Sequence, residues 1–293
     1  MTSSPLAPPL PNLVVAGVQR AGTTSLHYLL DRHPEVFFPR SPQEIHYFDL
    51  QANYRRGVDW YRSLFHEWQG QPWVGQTSPL YLFDPAVPQR LLNTLEAPRV
   101  VVILRDPVRR AYSHYWLEVR YGWESKPFSQ ALDHEPQRIS KGYDVFRHYS
   151  YVSRGLYWRQ LEHWLQWLPR EHLLVILQEE LRADPEAVMA QAAAFLDLDP
   201  EGFRAPRAET HLNAAKLPRW PWLQRAARPF RERFGGAGER FGYLVDRINL
   251  VEARYPPLLE ADRDRLRETF REDVEKLEAL LDRDLRRWGW LGE

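Results

Sequence analysis

The chain has 293 residues, of which 44% are hydrophobic and 13% aromatic, enough apolar side chains to bury the core of an enzyme-sized globular protein. Its 39 basic residues balance its 39 acidic ones, which argues against general binding of DNA or RNA but leaves room for a local anion pocket. Cysteine is absent, so disulfide bonds, thiolate metal sites and cysteine nucleophiles are excluded.

The first eleven residues, MTSSPLAPPLP, lack the charged and apolar regions of a signal peptide. The chain also has no run of about 18 apolar residues that would predict a membrane span. We therefore expect a flexible N-terminus over residues 1–11, a folded domain over 12–293 and a cytoplasmic location.

The first predicted elements are a strand, a tight loop and a helix. Asn12–Val18 is a valine-rich run, and the pattern that follows Gly22 is helical up to His33-Pro34. Gly17 and Gly22 are spaced as in a phosphate-binding loop, in which backbone N–H groups and the helix N-terminus hold an oxyanion. An ordinary strand-to-helix turn is the alternative interpretation of such a short motif.

This loop differs from the motif of nucleotide triphosphatases. That motif has lysine and then serine or threonine after its second glycine, whereas Thr23 and Thr24 follow Gly22 here. The positive charge stands inside the loop at Arg20, and only four of the 39 basic residues are lysines. The loop therefore suits one phosphate and its substituent better than a triphosphate with magnesium.

Three further strands are predicted, most clearly by the apolar runs Arg99–Arg105 and His172–Leu181, and more weakly by PWVGQTS around Val74. Helices begin at Asp106-Pro107 and at Asp184-Pro185, where aspartate is the expected cap and proline the first helical residue. Strands that alternate with helices of ten or more residues predict an α/β fold with a central parallel sheet flanked by helices.

A second anion contact is predicted after the strand that ends at Arg105. Ligands of open α/β sheets bind at the carboxyl ends of the strands, so Arg105 would face the same crevice as the glycine loop. Ser113, two turns into the next helix, could bring a hydroxyl to a second phosphate. The alternative is a surface ion pair between Arg105 and Asp106 beside a helix cap.

The rest of the chain carries weaker signals. Tyr149–Leu168 is amphipathic, and its tryptophans Trp158, Trp164 and Trp167 favour core packing over an acceptor site. Residues 217–249 are rich in arginine, glycine and proline and are expected to form an irregular insertion or a flexible cap within 205–250. A charged helix should follow Pro256-Pro257 and continue to about Asp282.

Two motifs together resemble the sulfotransferases that use 3′-phosphoadenosine 5′-phosphosulfate (PAPS). GVQRAGTTSL resembles the loop of that family for the 5′-phosphosulfate, and ILRDPVRRAYSHYW resembles its 3′-phosphate motif. SPQEIHYFD, residues 41–49, resembles the segment that carries a glutamate base in the heparan-type and bacterial branch. The resemblance covers most of residues 12–200 and implies a P-loop-like sulfotransferase fold.

The resemblance implies transfer of a sulfuryl group from PAPS to an acceptor hydroxyl, with PAP (3′-phosphoadenosine 5′-phosphate) as product and no metal. Arg20 would stabilise the leaving phosphate, since guanidinium keeps its proton at neutral pH. Glu44 or His46 would be the base, and the resemblance favours Glu44. A late basic loop at His211–Trp220 would cover the cofactor. The implied cofactor residues are Gln19, Arg20, Ala21, Gly22, Thr23, Thr24, Ser25, Arg105, Ser113 and Lys216.

Other functions remain open at this stage. A P-loop kinase would share the sheet but needs magnesium and a lysine after Gly22. A non-catalytic PAP-binding protein would keep the fold without transfer, although the charge at Arg20 and the candidate base at Glu44 argue against it. Metal-dependent hydrolysis has the least support, because the ten histidines show no HExxH or comparable spacing. The acceptor is open among a sugar, a polyketide chain, a lipid and a phenol.

Overall fold

A computed structural model of the chain describes residues 8–203, 216–233 and 235–288. The predicted flexible N-terminus up to residue 7 and residues 211–215 of the predicted basic loop lie outside the described residues. The strands are β1 Leu13–Gly17, β2 Val36–Phe37, β3 Trp73–Thr77, β4 Arg99–Leu104, β5 Leu173–Leu177, β6 Lys216–Pro218 and β7 Leu250–Glu252.

The helices alternate with these strands along the chain. They are α1 Thr23–Leu30, α2 Gln51–Tyr54, α3 Val58–Ser63, α4 Val87–Leu92, α5 Pro107–Tyr121, α6 Phe128–Ile139, α7 Tyr143–Tyr149, α8 Tyr157–Leu165, α9 Gln178–Ala183, α10 Pro185–Phe195, α11 Pro221–Arg233, α12 Gly235–Asn249 and α13 Glu260–Leu281.

The described residues form two compact units. The first takes in those within 1–105, 157–212 and 280–282, and the second those within 106–156, 213–279 and 283–293. The domain boundaries expected from the sequence stay a prediction.

The first unit is built on a five-stranded parallel sheet in the order β2-β3-β1-β4-β5. β1 and β5 are buried along their whole length, and β4 is buried except at Arg99. Continuous apolar runs are what strands covered on both faces require. The α/β class and the parallel sheet flanked by helices are therefore confirmed.

The strands predicted from apolar runs are present, and so is the weaker candidate around Val74, which becomes β3. The sequence analysis missed β2, an edge strand of only two residues that pairs Val36 with Trp73. So short an element leaves no periodicity to detect.

The amphipathic stretch Tyr149–Leu168 is only partly helical, because α8 spans Tyr157–Leu165. Trp164 is buried in the first unit, and its indole N–H donates to the carbonyl of Leu82 at 3.1 Å. Trp167, in contrast, has 41% of its surface exposed, so the expected core packing holds for Trp164 and fails for Trp167.

The second unit begins with the predicted Asp-Pro helix start. The Asp106 carboxylate accepts the backbone N–H of Val108 at 2.9 Å, and Pro107 is the first helical residue of α5. α5 ends at Gly122, whose φ of 79° gives the left-handed C-cap that glycine favours. The predicted aspartate cap and the predicted proline at the first helical position are both confirmed at α5. The last helix, α13, starts at Glu260, three residues after Pro257.

The expectation of an irregular insertion over residues 217–249 is wrong for most of this stretch. The structure has two helices there, α11 and α12. A Cβ atom at Gly238 would come within 2.4 Å of the carbonyl oxygen of Phe230, so this glycine allows the two helices to approach closely. Glycines that reduce the propensity of an isolated helix thus serve the packing of a helix pair.

Candidate active site

The glycine loop joins β1 to α1 in the first unit. Gly17 and Gly22 have φ values of 141° and 103°, in the region that glycine favours. The first α-helical hydrogen bond of α1 runs from the N–H of Leu26 to the carbonyl of Gly22 at 3.1 Å. The N–H groups of the first turn, from Thr23 to Ser25, therefore precede the helical ladder and point toward the loop, as an anion site requires.

The loop itself is held in place by backbone hydrogen bonds to the neighbouring strands. The N–H of Val18 donates to Ile103 at 2.9 Å, and the N–H of Gln19 donates to Pro79 at 3.1 Å. Ala21 is buried, whereas Gln19 and Arg20 are half-buried. The two latter side chains therefore keep access to solvent at the mouth of the loop.

Arg105 follows β4 and contacts the loop. Its guanidinium donates to the backbone carbonyl of Arg20 at 3.0 Å, and its own carbonyl accepts the hydroxyl of Tyr157 at 2.9 Å. Arg20 has a φ of 73°, unusual for a residue with a side chain. The structure therefore brings Arg105 and Arg20 together, as the sequence predicted, and places both at the carboxyl end of the sheet.

Gln178 lies beside the glycine loop and is a candidate site residue that the sequence analysis missed. It begins α9 directly after β5, and a Cβ atom at Gly22 would lie 3.2 Å from its amide nitrogen. Its side-chain oxygen is buried without a hydrogen-bond partner. A buried amide beside a phosphate-type loop is suited to contact a ligand there, but no motif around QEEL identified it.

The segment that was expected to carry the base, Glu44–Asp49, places an imidazole between two carboxylates. Nδ1 of His46 lies 2.7 Å from Oδ2 of Asp49, and Nε2 of His46 lies 3.6 Å from Oε2 of Glu44. The Asp49 side chain is fully buried, whereas 47% of the Glu44 side chain is exposed. Asp49 therefore orients the imidazole, and Glu44 presents its carboxylate to solvent. The sequence analysis named Glu44 and His46 as alternatives and missed Asp49.

Tyr81 fixes this segment to the end of β3. Its hydroxyl donates to the carbonyl of Ile45 at 2.7 Å and accepts the backbone N–H groups of Tyr47 and Phe48 at 3.1 and 3.2 Å. Ser78 also donates to the Ile45 carbonyl. Burial raises the pKa of Tyr81 well above its usual value, so the phenol keeps the proton that it donates.

His27 connects the segment with the glycine loop. It lies on α1, and its Nδ1 is 2.8 Å from the hydroxyl of Thr77 at the end of β3. Burial lowers the pKa of His27 to about 4, and the nearby Glu44 carboxylate acts in the opposite direction. His27 is therefore neutral at pH 7, and Glu44 lies close enough to α1 to influence it.

Ser113 and Lys216 belong to the second unit. Ser113 is buried on α5. Lys216 is the first residue of β6, where it pairs with Glu252 of β7, whereas the sequence had suggested a loop. Their roles at the cofactor stay predictions.

In residues 8–203, 216–233 and 235–288, no group of three or more histidine, cysteine, aspartate or glutamate side chains could hold a metal ion. Nor is any helix in these ranges both long and apolar enough to pass through a bilayer.

The family model for the sulfotransferase domain matches residues 10–219, more than two thirds of the chain. Curated relatives include heparan sulfate glucosamine 3-O-sulfotransferase 5 of Mus musculus, which is 29% identical over 211 residues. That match covers 71% of this chain and 58% of the relative. Heparan sulfate glucosamine 3-O-sulfotransferase 6 of Homo sapiens is 31% identical over 206 residues, or 68% of this chain and 55% of the relative. The chain thus spans less than two thirds of the length of these proteins.

A solved structure extends the similarity over nearly the whole chain. The sulfotransferase from Alicyclobacillus acidocaldarius is 27% identical, with a TM-score of 0.71, and the match covers 95% of this chain and 98% of that one. The similarity therefore includes the region after residue 219, which the family model does not match.

Proposed function

Because the chain belongs to the sulfotransferase domain family, we propose that it transfers a sulfuryl group from PAPS to an acceptor hydroxyl and releases PAP. The observation that carries this proposal is that two segments both form hydrogen bonds with residues at the end of β3. The glycine loop is bound there through Gln19 and Pro79, and the Glu44–Asp49 segment through Ile45, Thr77 and Tyr81.

The residues at the loop fit the 5′ end of PAPS. The N–H groups at the start of α1 and the guanidinium of Arg20 favour negative charge, and the hydroxyls of Thr23 and Thr24 add donors. PAPS supplies an activated sulfuryl group with a phosphate as leaving group. We propose that Arg20 and the helix N-terminus stabilise the charge that develops on this phosphate, and that Arg105 contributes to the 3′-phosphate site.

We propose that Glu44 takes the proton of the acceptor hydroxyl. The acceptor oxygen forms a bond to sulfur as the bond between sulfur and the phosphate oxygen breaks, and the proton passes to the Glu44 carboxylate. His46 is held by Asp49 at Nδ1, and its Nε2 faces the Glu44 carboxylate at 3.6 Å. If His46 were the base, it would accept the proton at the same Nε2 atom.

The acceptor is a further proposal. The relatives named as heparan sulfate glucosamine sulfotransferases support a hydroxyl on an amino-sugar glycan as the first candidate. Lipid, polyketide and phenol hydroxyls complete the panel to be tested. A cytoplasmic location, a bacterial-type enzyme and transfer without a metal also stay proposals.

The experiment is to incubate the protein with PAPS, the acceptor panel and a chelator, and to measure PAP. We expect acceptor-dependent formation of PAP, and Arg20→Gln should lower its rate by about a hundredfold, as for the loss of one anion-stabilising donor. Arg55→Gln, at an exposed arginine of the same unit, is the control and should keep the rate. If Arg20→Gln were as active as Arg55→Gln, the role assigned to Arg20 would be wrong.

A further inference from the structure

The second unit carries a helical hairpin, residues 219–249, that is formed by α11 and α12. The side-chain amide of Asn249 exchanges hydrogen bonds with the backbone of Trp220 at 2.8 and 3.0 Å, and the side-chain amide of Gln224 donates to Asp246 at 3.0 Å. These contacts join the start of α11 to the end of α12, so the helices are antiparallel. Gly238 lies at the close approach between them.

Five large apolar side chains of the hairpin are exposed, outside the buried contact between α11 and α12. On α12 they follow each other at the three- and four-residue spacing of a helix face, and on α11 they are eight residues apart. Each has between 41% and 61% of its surface exposed, which is high for a large apolar side chain. These residues are Trp222 and Phe230 on α11 and Phe241, Leu244 and Ile248 on α12.

The two helices share this surface. The rings of Phe230 and Phe241 are 5.3 Å apart, so the exposed rows of α11 and α12 meet at that end of the hairpin. Since the helices are antiparallel, Trp222 near the start of α11 and Ile248 near the end of α12 are both at the other end of the hairpin. We call the five residues the apolar face. Single exposed apolar residues are ordinary, but a row across two helices indicates an interaction surface.

Arginines flank the apolar face. Residues 219–249 contain seven arginines and three acidic residues, a net charge of +4, whereas the whole chain is neutral. Arg225, Arg233, Arg240 and Arg247 are exposed. Of the acidic residues, Asp246 is already paired with Arg231. The charge that the hairpin presents is therefore positive.

We propose that the apolar face of the hairpin binds the surface of a bilayer that contains anionic lipids. Tryptophan, phenylalanine, leucine and isoleucine insert at the boundary between headgroups and acyl chains, and flanking arginines attract anionic headgroups. A second copy of the chain would oppose arginine with arginine. A sulfated or carboxylated glycan would match the arginines but would leave Leu244 and Ile248 without an apolar partner. This inference does not depend on the proposed function.

The test is flotation of the full chain with vesicles of phosphatidylcholine alone or of phosphatidylcholine mixed with phosphatidylserine. We expect binding to the mixed vesicles that weakens as salt is added. Leu244→Ser with Ile248→Ser should lower the partition constant by at least about tenfold. Burial of even one such side chain in the bilayer favours binding by more than that factor. Arg240→Gln with Arg247→Gln should lower it by roughly fivefold for each arginine.

The matched control is Val58→Ser, because Val58 is an exposed apolar residue of the first unit. Thermal melting of each variant shows whether its fold is intact, and the arginine pair is an independent test if the serine pair unfolds. Absence of vesicle binding, or equal binding by the hairpin variants and the control, would overturn the proposal. So would a wild-type dimer in sedimentation velocity that the serine pair converts to monomer, or binding to heparin without binding to vesicles.

Discussion

In the part of the chain that the structure describes, a cluster in each unit combines histidine with carboxylate, and the two clusters differ in burial. In the first unit, His46 lies between Glu44 and Asp49, and nearly half of the Glu44 side chain is exposed. In the second unit, Glu118 lies between His114 at 3.2 Å and His148 at 2.9 Å, and both Glu118 and His114 are buried. The same side-chain types thus occur in two different environments.

The difference in burial separates a cluster suited to chemistry from one suited to structure. Burial lowers the pKa of His114 to about 3. Burial acts to raise the pKa of Glu118, but hydrogen bonds from His114 and His148 outweigh it, and the pKa is lowered. Glu118 is therefore a fixed, ionised hydrogen-bond acceptor. Glu44 can meet a substrate, since it reaches solvent beside the glycine loop.

The largest effect is expected at Glu44. Glu44→Gln keeps the shape of the side chain but removes the proton acceptor, so turnover should fall by about a hundredfold to ten-thousandfold. The melting temperature should stay the same, because nearly half of the Glu44 side chain is exposed to solvent. The measurement is the rate of PAP formation at saturating PAPS, beside thermal melting.

Glu96→Gln is the matched control, an exposed glutamate in the same unit. Full activity of Glu44→Gln would remove Glu44 as the base and leave His46 as the remaining candidate.

In contrast to Glu44, substitution of Glu118 should lower the stability of the protein. Glu118→Gln weakens two buried hydrogen bonds to histidine, and we expect the free energy of unfolding to fall by about 3 kcal/mol. Urea unfolding at pH 7 measures this change. Glu275→Gln, at an exposed position on α13, should leave it unchanged. A normal unfolding midpoint for Glu118→Gln would contradict the structural role.

Burial of His27 should make the stability of the protein depend on pH. Its pKa is about 4 in the folded protein and 6.5 for the free side chain, so the unfolded chain binds the proton more readily. The contribution of His27 to the free energy of unfolding is therefore fully present above about pH 6.5. It is lost as the pH drops toward 4, and the loss is about 3 kcal/mol.

His27→Gln should flatten the loss of stability between these pH values. His114 contributes in the same direction in both proteins, so the difference between the two urea-unfolding curves isolates His27. Parallel curves for His27→Gln and the unchanged protein would contradict the lowered pKa.

The smallest effect is expected at Tyr81, which positions the Glu44–Asp49 segment without meeting the substrate. Tyr81→Phe removes a hydroxyl with three backbone partners and should cost about 2 kcal/mol of stability. We also expect kcat to fall by roughly tenfold while KM for PAPS stays the same, because the donor site is on the glycine loop. An unchanged kcat would mean that the hydrogen bonds of Thr77 and Ser78 to Ile45 hold the segment without the Tyr81 hydroxyl.

Much of the first unit follows from its sequence. The apolar runs at β1, β4 and β5 predict buried parallel strands, and the positive φ values of Gly17 and Gly22 match the loop. Since the carboxyl ends of parallel strands share one edge, the contact between Arg105 and the loop could also be expected.

Other features depend on contacts that local sequence does not encode. Asp49 ends the segment SPQEIHYFD, but nothing in that pattern indicates its role, and Gln178 belongs to no motif that predicts a ligand contact. Only the fold places Asp49 beside His46 and Gln178 beside Gly22. The sequence of the hairpin predicts irregular structure, because its glycines and prolines oppose helix formation locally. Packing between α11 and α12 outweighs that propensity, as tertiary contacts often do.

We propose that the glycine loop serves a nucleotide with separate 3′- and 5′-phosphates and not a triphosphate with magnesium. The most direct measurement is thermal melting with PAP, ADP or magnesium-ATP, each with and without a chelator. We expect PAP alone to stabilise the protein, by about 2.7 kcal/mol at a hundredfold excess over its Kd, whether or not the chelator is present. Stabilisation by magnesium-ATP that the chelator abolishes, with none by PAP, would contradict the account and favour a kinase.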